Sequence, residues 1–249
     1  MLTFSLIKNR ALANPIKRSK VIAITSCLLL LSACGSDNNS VDEPPPPPPV
    51  PAEYTYAITV TNLTYGQPLS PLAVVLHNDS KMWMVGESSS MALEKLAEGG
   101  DNSDFIADSN AIASNSGDGP VAPGLASTVE VSTTDRNATF FTAATMLVNT
   151  NDAFAGLTRV DISTMAIDDI KSWNLNVYDS GTEANSEAMG SIPGPADGGT
   201  GFDTIRDDVD FVGYHSGVVS QDDGLSSSVL TQAHRFDNPA IKLTITRIK

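Results

Sequence analysis

The sequence predicts an all-β sandwich carrying one short helix and long polar loops, and three observations lead there. Seven short stretches are rich in β-branched residues and alternate apolar with small or polar side chains. Gly, Asp, Ser and Asn separate them. Only one stretch has helical spacing. A run of strands without interleaved helices favours a sandwich over a doubly wound α/β fold.

The first strand is expected over residues 54–61, where Tyr56, Ile58 and Val60 recur at every second position. That is the period at which side chains share one face of a sheet. Further strands are expected over residues 72–77, 128–133, 139–148, 154–162 and 173–178. The last covers residues 241–248, with Ile241, Leu243 and Ile245 turned inward and Lys242 and Arg247 left for solvent or an edge. The helix is expected over residues 91–97, with Ser88, Ser89 and Ser90 as candidate caps and Gly99-Gly100 as the stop. Residues 101–124 and 185–210 are two long polar stretches between strands, and loops of that length in a compact domain are functional or mobile. Residues 54–249 are enough for one ordinary core, and no internal repeat divides them.

Residues 1–33 are set apart from the fold. Arg10, Lys17, Arg18 and Lys20 make a basic leader, and no acid occurs before Asp37. The apolar run over residues 21–30 is short of the roughly 20 residues that span a bilayer. It ends in Leu31-Ser32-Ala33-Cys34, which looks like a bacterial lipoprotein signal: small residues before a cysteine that is lipidated and becomes the new N-terminus. Gly35 after the cysteine favours, by resemblance, sorting to an outer membrane. Residues 34–53 form a tether whose unbroken run from Pro44 to Pro49 favours polyproline II, a stiff spacer of about 19 Å.

Charge and cysteine usage agree with export. Cys27 leaves with the leader and Cys34 carries lipid, so the mature domain has no cysteine to pair. Removing the five leader cations from the 15 in the chain leaves 10 against 29 acids, a formal charge of −19. Such a domain repels nucleic acid and anionic lipid head groups and gathers divalent cations.

The common catalytic templates fail on spacing. Gly213-Tyr214-His215-Ser216-Gly217 places its serine one position late for a nucleophile elbow, and on an extended chain His215 and Ser216 point to opposite faces. His77, His215 and His234 are scattered and make no His-Glu-x-x-His. The run Gly198-Gly199-Thr200-Gly201 lacks the third glycine of a dinucleotide loop, because Thr204 stands there. An EF-hand loop starting at Asp208 fails at Val212 and Val219.

Two segments pair carboxylates with turn geometry. One is Asn151-Asp152-Ala153-Phe154-Ala155-Gly156 at the mouth of a strand; the other is Tyr178-Asp179-Ser180-Gly181-Thr182-Glu183 directly after one. A strand delivers Asp179 to a sheet end, Gly181 permits a reversal, and Glu183 returns to the same side. Calcium takes six to eight oxygens and is well served by carboxylates at strand ends, although the same pattern also describes plain turns.

The order of several motifs resembles the spondin N-terminal domain, the module of F-spondin and mindin, and especially its bacterial stand-alone relatives. The matching runs are Ile58-Thr59-Val60-Thr61-Asn62-Leu63-Thr64, Gln67-Pro68-Leu69-Ser70-Pro71 leading to His77, residues 93–100, residues 178–183, and Asn238-Pro239-Ala240 into the closing strand. The resemblance implies an antiparallel sandwich similar to C2 domains with one calcium at a sheet end. In the animal members, an Asp opening an Asp-Trp-x-Val-Gly segment and two Asp of an Asp-Ala-Gly-Thr-Asp turn bind the ion. Those positions fall on Asp152, Asp179 and Glu183. Ala153 and Tyr178 stand where the family has Trp, and the animal cysteines and thrombospondin-type repeats are absent.

The expectation is therefore a non-enzymatic module held on a membrane by lipid on Cys34, facing the periplasm or the exterior. Calcium steadies its loops, and it binds a protein or glycan rather than nucleic acid. The alternatives are an envelope hydrolase using loop carboxylates and a purely structural envelope lipoprotein.

Overall fold

The computed structural model describes Pro48 and residues 50–249. The leader, Cys34 and most of the tether lie outside the described residues.

Ten strands and two short helices follow one another: β1 (Tyr54–Asn62), β2 (Ala73–His77), α1 (Met91–Gly99), α2 (Ser103–Ile106), β3 (Ala111–Ser116), β4 (Ala126–Thr133), β5 (Phe140–Met146), β6 (Ala153–Asp161), β7 (Ile170–Leu175), β8 (Val177–Asp179), β9 (Gly213–Tyr214) and β10 (Ile241–Arg247). They form two antiparallel sheets, one ordered β4-β1-β10-β7 and the other β3-β2-β5-β6-β8-β9. The all-β sandwich expected from the sequence is the fold.

The alternation in β1 and β10 places Tyr56, Ile58, Val60, Ile241, Leu243 and Ile245 between the sheets, against Val74, Leu76, Phe141 and Ala155 of the second sheet. The opposite face of the first sheet carries hydroxyl pairs instead, Thr59 with Thr128 at 2.7 Å and Ser172 with Thr244 at 2.8 Å. Over β2, most of β5 and the start of β6 the second sheet is covered on both faces. Its outer side packs Val75, Ala144 and Phe154 against Leu93, Leu96 and Ala97 of α1, with Phe105 and Trp83 completing the layer. This two-sided burial explains why β2 reads as a continuous apolar run, Ala-Val-Val-Leu, before His77, and not as an alternation. Burying a side chain such as Phe154 completely stabilises the fold by about 1.5–3 kcal/mol.

Helix α1 starts and stops as its sequence requires. The Ser90 hydroxyl accepts the Leu93 N–H at the N-terminus, and Gly100 takes a left-handed φ of 67° at the C-terminus.

The structure corrects the sequence reading in two places. The stretch expected as a polar loop over residues 101–124 contains α2 and β3, so the helix expected to be single has a companion. The strand expected over residues 173–178 is two strands, β7 and β8, which belong to different sheets. The chain changes sheet at Asn176, and the crossing is pinned where Val177 donates its N–H to Asn238 Oδ1 and Ala240 donates to the Leu175 carbonyl. That crossing carries Asp179 away from the sheet of β7 and sets it beside the start of β6.

Candidate metal centre

The turn between β5 and β6 is closed by its own side chains. Thr150 Oγ1 donates to the Leu147 carbonyl and accepts the Ala153 N–H, while Asn149 is held by the Gln67 side chain. Asp152 is thereby delivered at the first position before β6. In the β6–β8 register Ala153 faces Asp179, so the two acids stand at adjacent strand ends.

The chain then reverses through Gly181, which has φ 72°. Here glycine is required twice over: the conformation is left-handed, and a Cβ would lie 2.2 Å from the Phe211 carbonyl oxygen. The reversal folds back over Asp152. Its Oδ2 accepts the N–H of Thr182 at 2.9 Å, the N–H of Glu183 at 3.2 Å and the Ser180 hydroxyl at 3.0 Å. Asp179 is also engaged at both oxygens: Oδ1 accepts the Gly181 N–H and Oδ2 accepts the Asn185 side-chain amide at 2.6 Å.

Two oxygens are left over. Asp152 Oδ1 and Glu183 Oε2 are buried with no hydrogen-bond partner. Asp152 has no exposed surface. Burial, and then the Asp179 charge, push its carboxyl up to about 7 against the pull of the hydrogen bonds at Oδ2. Glu183 is likewise pushed up to about 7, chiefly by burial, and the charges acting on it are those of Glu98, Asp152 and Asp207, all negative.

A strap over residues 203–211 closes the cluster. Asp207 donates its N–H to the Thr182 carbonyl and accepts the Ala184 N–H, and Asp210 donates to the Gly181 carbonyl at 2.7 Å. Arg206 ties the strap to α1, bonding Glu94 Oε2 at 2.5 Å and the Ser89 carbonyl at 2.8 Å while also pairing with Asp210. Glu98 is fully buried beside it and accepts the Asp203 N–H at 2.9 Å, and burial raises its carboxyl above the usual range.

The chain matches no family model and no curated protein.

The structure thus brings Asp152, Asp179 and Glu183 to one sheet end around a single turn. It does not arrange them as three converging free ligands: among the described residues no group of three His, Cys, Asp or Glu stands at metal-holding distances. Of these three acids the free donors are one oxygen each of Asp152 and Glu183; Glu94 Oε1, beside the Arg206 tie, and Glu187 Oε2 are also buried without a partner among the described residues. Glu98, Asp207 and Arg206 belong to the same cluster and were not among the residues expected from the sequence. Glu94 and Glu98 carried a faint signal. Four residues apart, they share one face of α1, and both are buried.

The histidines act as local braces. Nδ1 of His77 accepts the Ser80 N–H, Nδ1 of His215 accepts the Gly217 N–H and Nδ1 of His234 accepts the Thr231 N–H, each at 3.0 Å. Burial lowers the pKa of all three. His215 is buried and Ser216 exposed, the opposite-face arrangement expected for that pair.

Proposed function

We propose that the chain is a lipid-anchored, extracytoplasmic module of the spondin-like kind that binds a protein or glycan of the cell envelope and uses calcium to steady one end of its sandwich. The observation that carries the metal part is the pair of buried, partnerless oxygens, Asp152 Oδ1 and Glu183 Oε2, in surroundings where the neighbouring charges are negative. Leaving such groups unpaired is costly, and a hard divalent cation is the natural partner for carboxylate oxygens. Asp152 and Glu183 would hold the ion. Asp179 already accepts one hydrogen bond at each oxygen, from Gly181 and Asn185, and would join with its remaining lone pairs. When bound, calcium supplies the positive charge that lets both carboxyls ionise at neutral pH, and it locks the turn over residues 179–183 to the start of β6.

The raised carboxyls would also suit a general acid, which is the hydrolase alternative. Access weighs against it. Asp152 is wholly buried with Oδ2 fully engaged, and the surface cavities of about 420 and 350 Å3 are lined by other residues. The anchoring part rests on the leader and Cys34, the tether on the run from Pro44 to Pro49.

Melting curves in chelator, calcium and magnesium test the reading. Binding to the folded form alone stabilises by about 2.7 kcal/mol when free ion is about 100 times its dissociation constant. That is a rise of roughly 5–11 °C for a domain of this size, at about 2–4 °C per kcal/mol. Magnesium, which demands a smaller and more regular octahedron, should do less. Equal midpoints across millimolar calcium would remove the ion from the account.

A further inference from the structure

The outer face of the six-stranded sheet is only partly covered by the helices. Beyond them lies an open cavity of about 350 Å3 whose walls include Trp83, Met84, Val85 and Tyr178, with Lys81 and Arg159 also lining it. Its aromatic wall is continuous. Tyr178 stacks on buried Phe154 at 5.3 Å and on exposed Tyr214 at 5.2 Å, and Trp83 meets Phe154 edge-on at 5.3 Å. In a chain with 29 acids and 15 Lys and Arg, none of the residues lining this cavity is acidic.

Arg159 reaches this wall through a local distortion. Phe141 pairs with Val160 and Ala143 with Leu157, so Thr158 and Arg159 together oppose the single residue Thr142. That is a β-bulge, a device that re-aims a side chain. Simple alternation would turn Arg159 towards the core, on the same side as Leu157. Instead Arg159 adopts φ 54°, a left-handed conformation unfavourable for any residue with a Cβ. Its guanidinium lies over the Phe140 ring, 4.7 Å from the centroid, and pairs with Asp79. The Lys81 ammonium contacts the Met84 sulfur at 3.1 Å, and no carboxylate among the described residues pairs with it. With Asp79 counted against the two cations, the rim keeps a net positive charge. Residues held in sparsely populated backbone conformations cluster at binding and catalytic sites.

We propose that this cavity binds an anionic amphiphile, a small molecule with one carboxylate or sulfonate head on an apolar or aromatic body. The head meets Lys81 and Arg159, and the body lies along Trp83, Met84, Val85 and Tyr178. The volume falls within the roughly 300–1,000 Å3 of small-molecule sites, and the lining is of their usual kind, apolar walls with a few placed polar groups. Charge complementarity selects the ligand: the rest of the protein repels anions, and this groove is cationic. The proposal is independent of the calcium reading.

Titration of the purified full chain with decanoate and with its neutral counterpart decanol, followed by tryptophan fluorescence, tests it. Decanoate should bind saturably and about tenfold more tightly than decanol, the size of effect a charge-assisted contact produces. Lys81→Gln should weaken decanoate and leave decanol unchanged. Arg159→Gly should do the same while melting no lower than wild type, because glycine accepts φ 54°. Lys242→Gln, which removes an exposed charge from the other sheet, should leave binding as it was. Equal affinity for decanoate and decanol would overturn the proposal. So would wild-type decanoate binding in both Lys81→Gln and Arg159→Gly, an equal loss in Lys242→Gln, or the absence of saturation up to millimolar decanoate.

Discussion

Asp152 accepts the backbone N–H of Glu183 at 3.2 Å through one carboxylate oxygen, while its other oxygen and Glu183 Oε2 are both buried without a partner. One contact therefore joins the start of β6 to the far side of the turn after β8 and leaves a matched pair of empty acceptors behind it. The backbone bonds hold the two acids close enough to repel when both ionise. An apo fold with this arrangement stores a penalty that either protons or a cation can relieve.

Protons come first. Both carboxyls titrate near pH 4 in an unfolded chain, by about the reference values for Asp and Glu, and at about 7 in the fold. The folded state thus holds protons that the unfolded state has given up. The contribution of these two carboxyls to stability should be full below about pH 4 and be lost as pH rises through about 7. On the proposed reading calcium would bind the ionised form, so its stabilising increment should grow over the same window. Melting midpoints at about pH 5 and 8, in chelator and in calcium, for wild type and for Asp152→Asn with Glu183→Gln, check both slopes; a chelator slope unchanged in the double variant would show that these carboxyls do not titrate as described.

Arg206 should matter more than a surface arginine. Its partner Glu94 has a side chain only 1% exposed, and Arg206→Ala leaves that charge buried and unpaired. The expected loss is about 3 kcal/mol in urea unfolding. Arg206→Ala with Glu94→Ala together should cost less than Arg206→Ala alone, because the orphaned charge is gone. A double variant that merely sums the two losses would argue against the pair.

Gly181→Ala tests the seat of the strap. The added methyl would meet the Phe211 carbonyl at 2.2 Å in a conformation alanine disfavours. A loss of about 1–3 kcal/mol is expected, typical of a special backbone position. Because the clash falls on the strap, limited proteolysis should nick residues 203–211 sooner than in wild type. Unchanged cutting there would mean the strap does not depend on this contact.

Cys34→Ser addresses anchoring. The basic leader and Leu31-Ser32-Ala33-Cys34 lead to the expectation that wild-type protein takes up labelled fatty acid in bacterial cells and that the variant does not. Failure of the wild type to take up label would remove the lipid anchor from the account.

The strands most open to reading were those buried on one face. Tyr56, Ile58 and Val60, and again Ile241, Leu243 and Ile245, announce their sheet by alternation, and both sets are at the core. Strand β3 was hidden because it is a sheet edge built from small, partly exposed residues, Ala-Ile-Ala-Ser-Asn-Ser. The division between β7 and β8 was hidden for a different reason. The strand pattern runs on through residues 173–178, and only the bonds to Asn238 and from Ala240 show where the chain leaves one sheet for the other.

By itself the sequence determined the all-β class, the start of α1, the reversal at Gly181 and the placing of Asp152 and Asp179 at strand ends with Glu183 in the turn that follows, because each follows from interactions between near neighbours. Tertiary structure alone decided which oxygens of those acids remain free, that Glu98 and the Arg206 strap close over them, and that Arg159 is turned outward by a bulge. Those outcomes depend on register and burial between segments far apart in the chain. Asp152 and Thr182 are 30 residues apart, and Glu94 and Arg206 are 112 apart. No local pattern encodes which side chain a distant backbone N–H will reach.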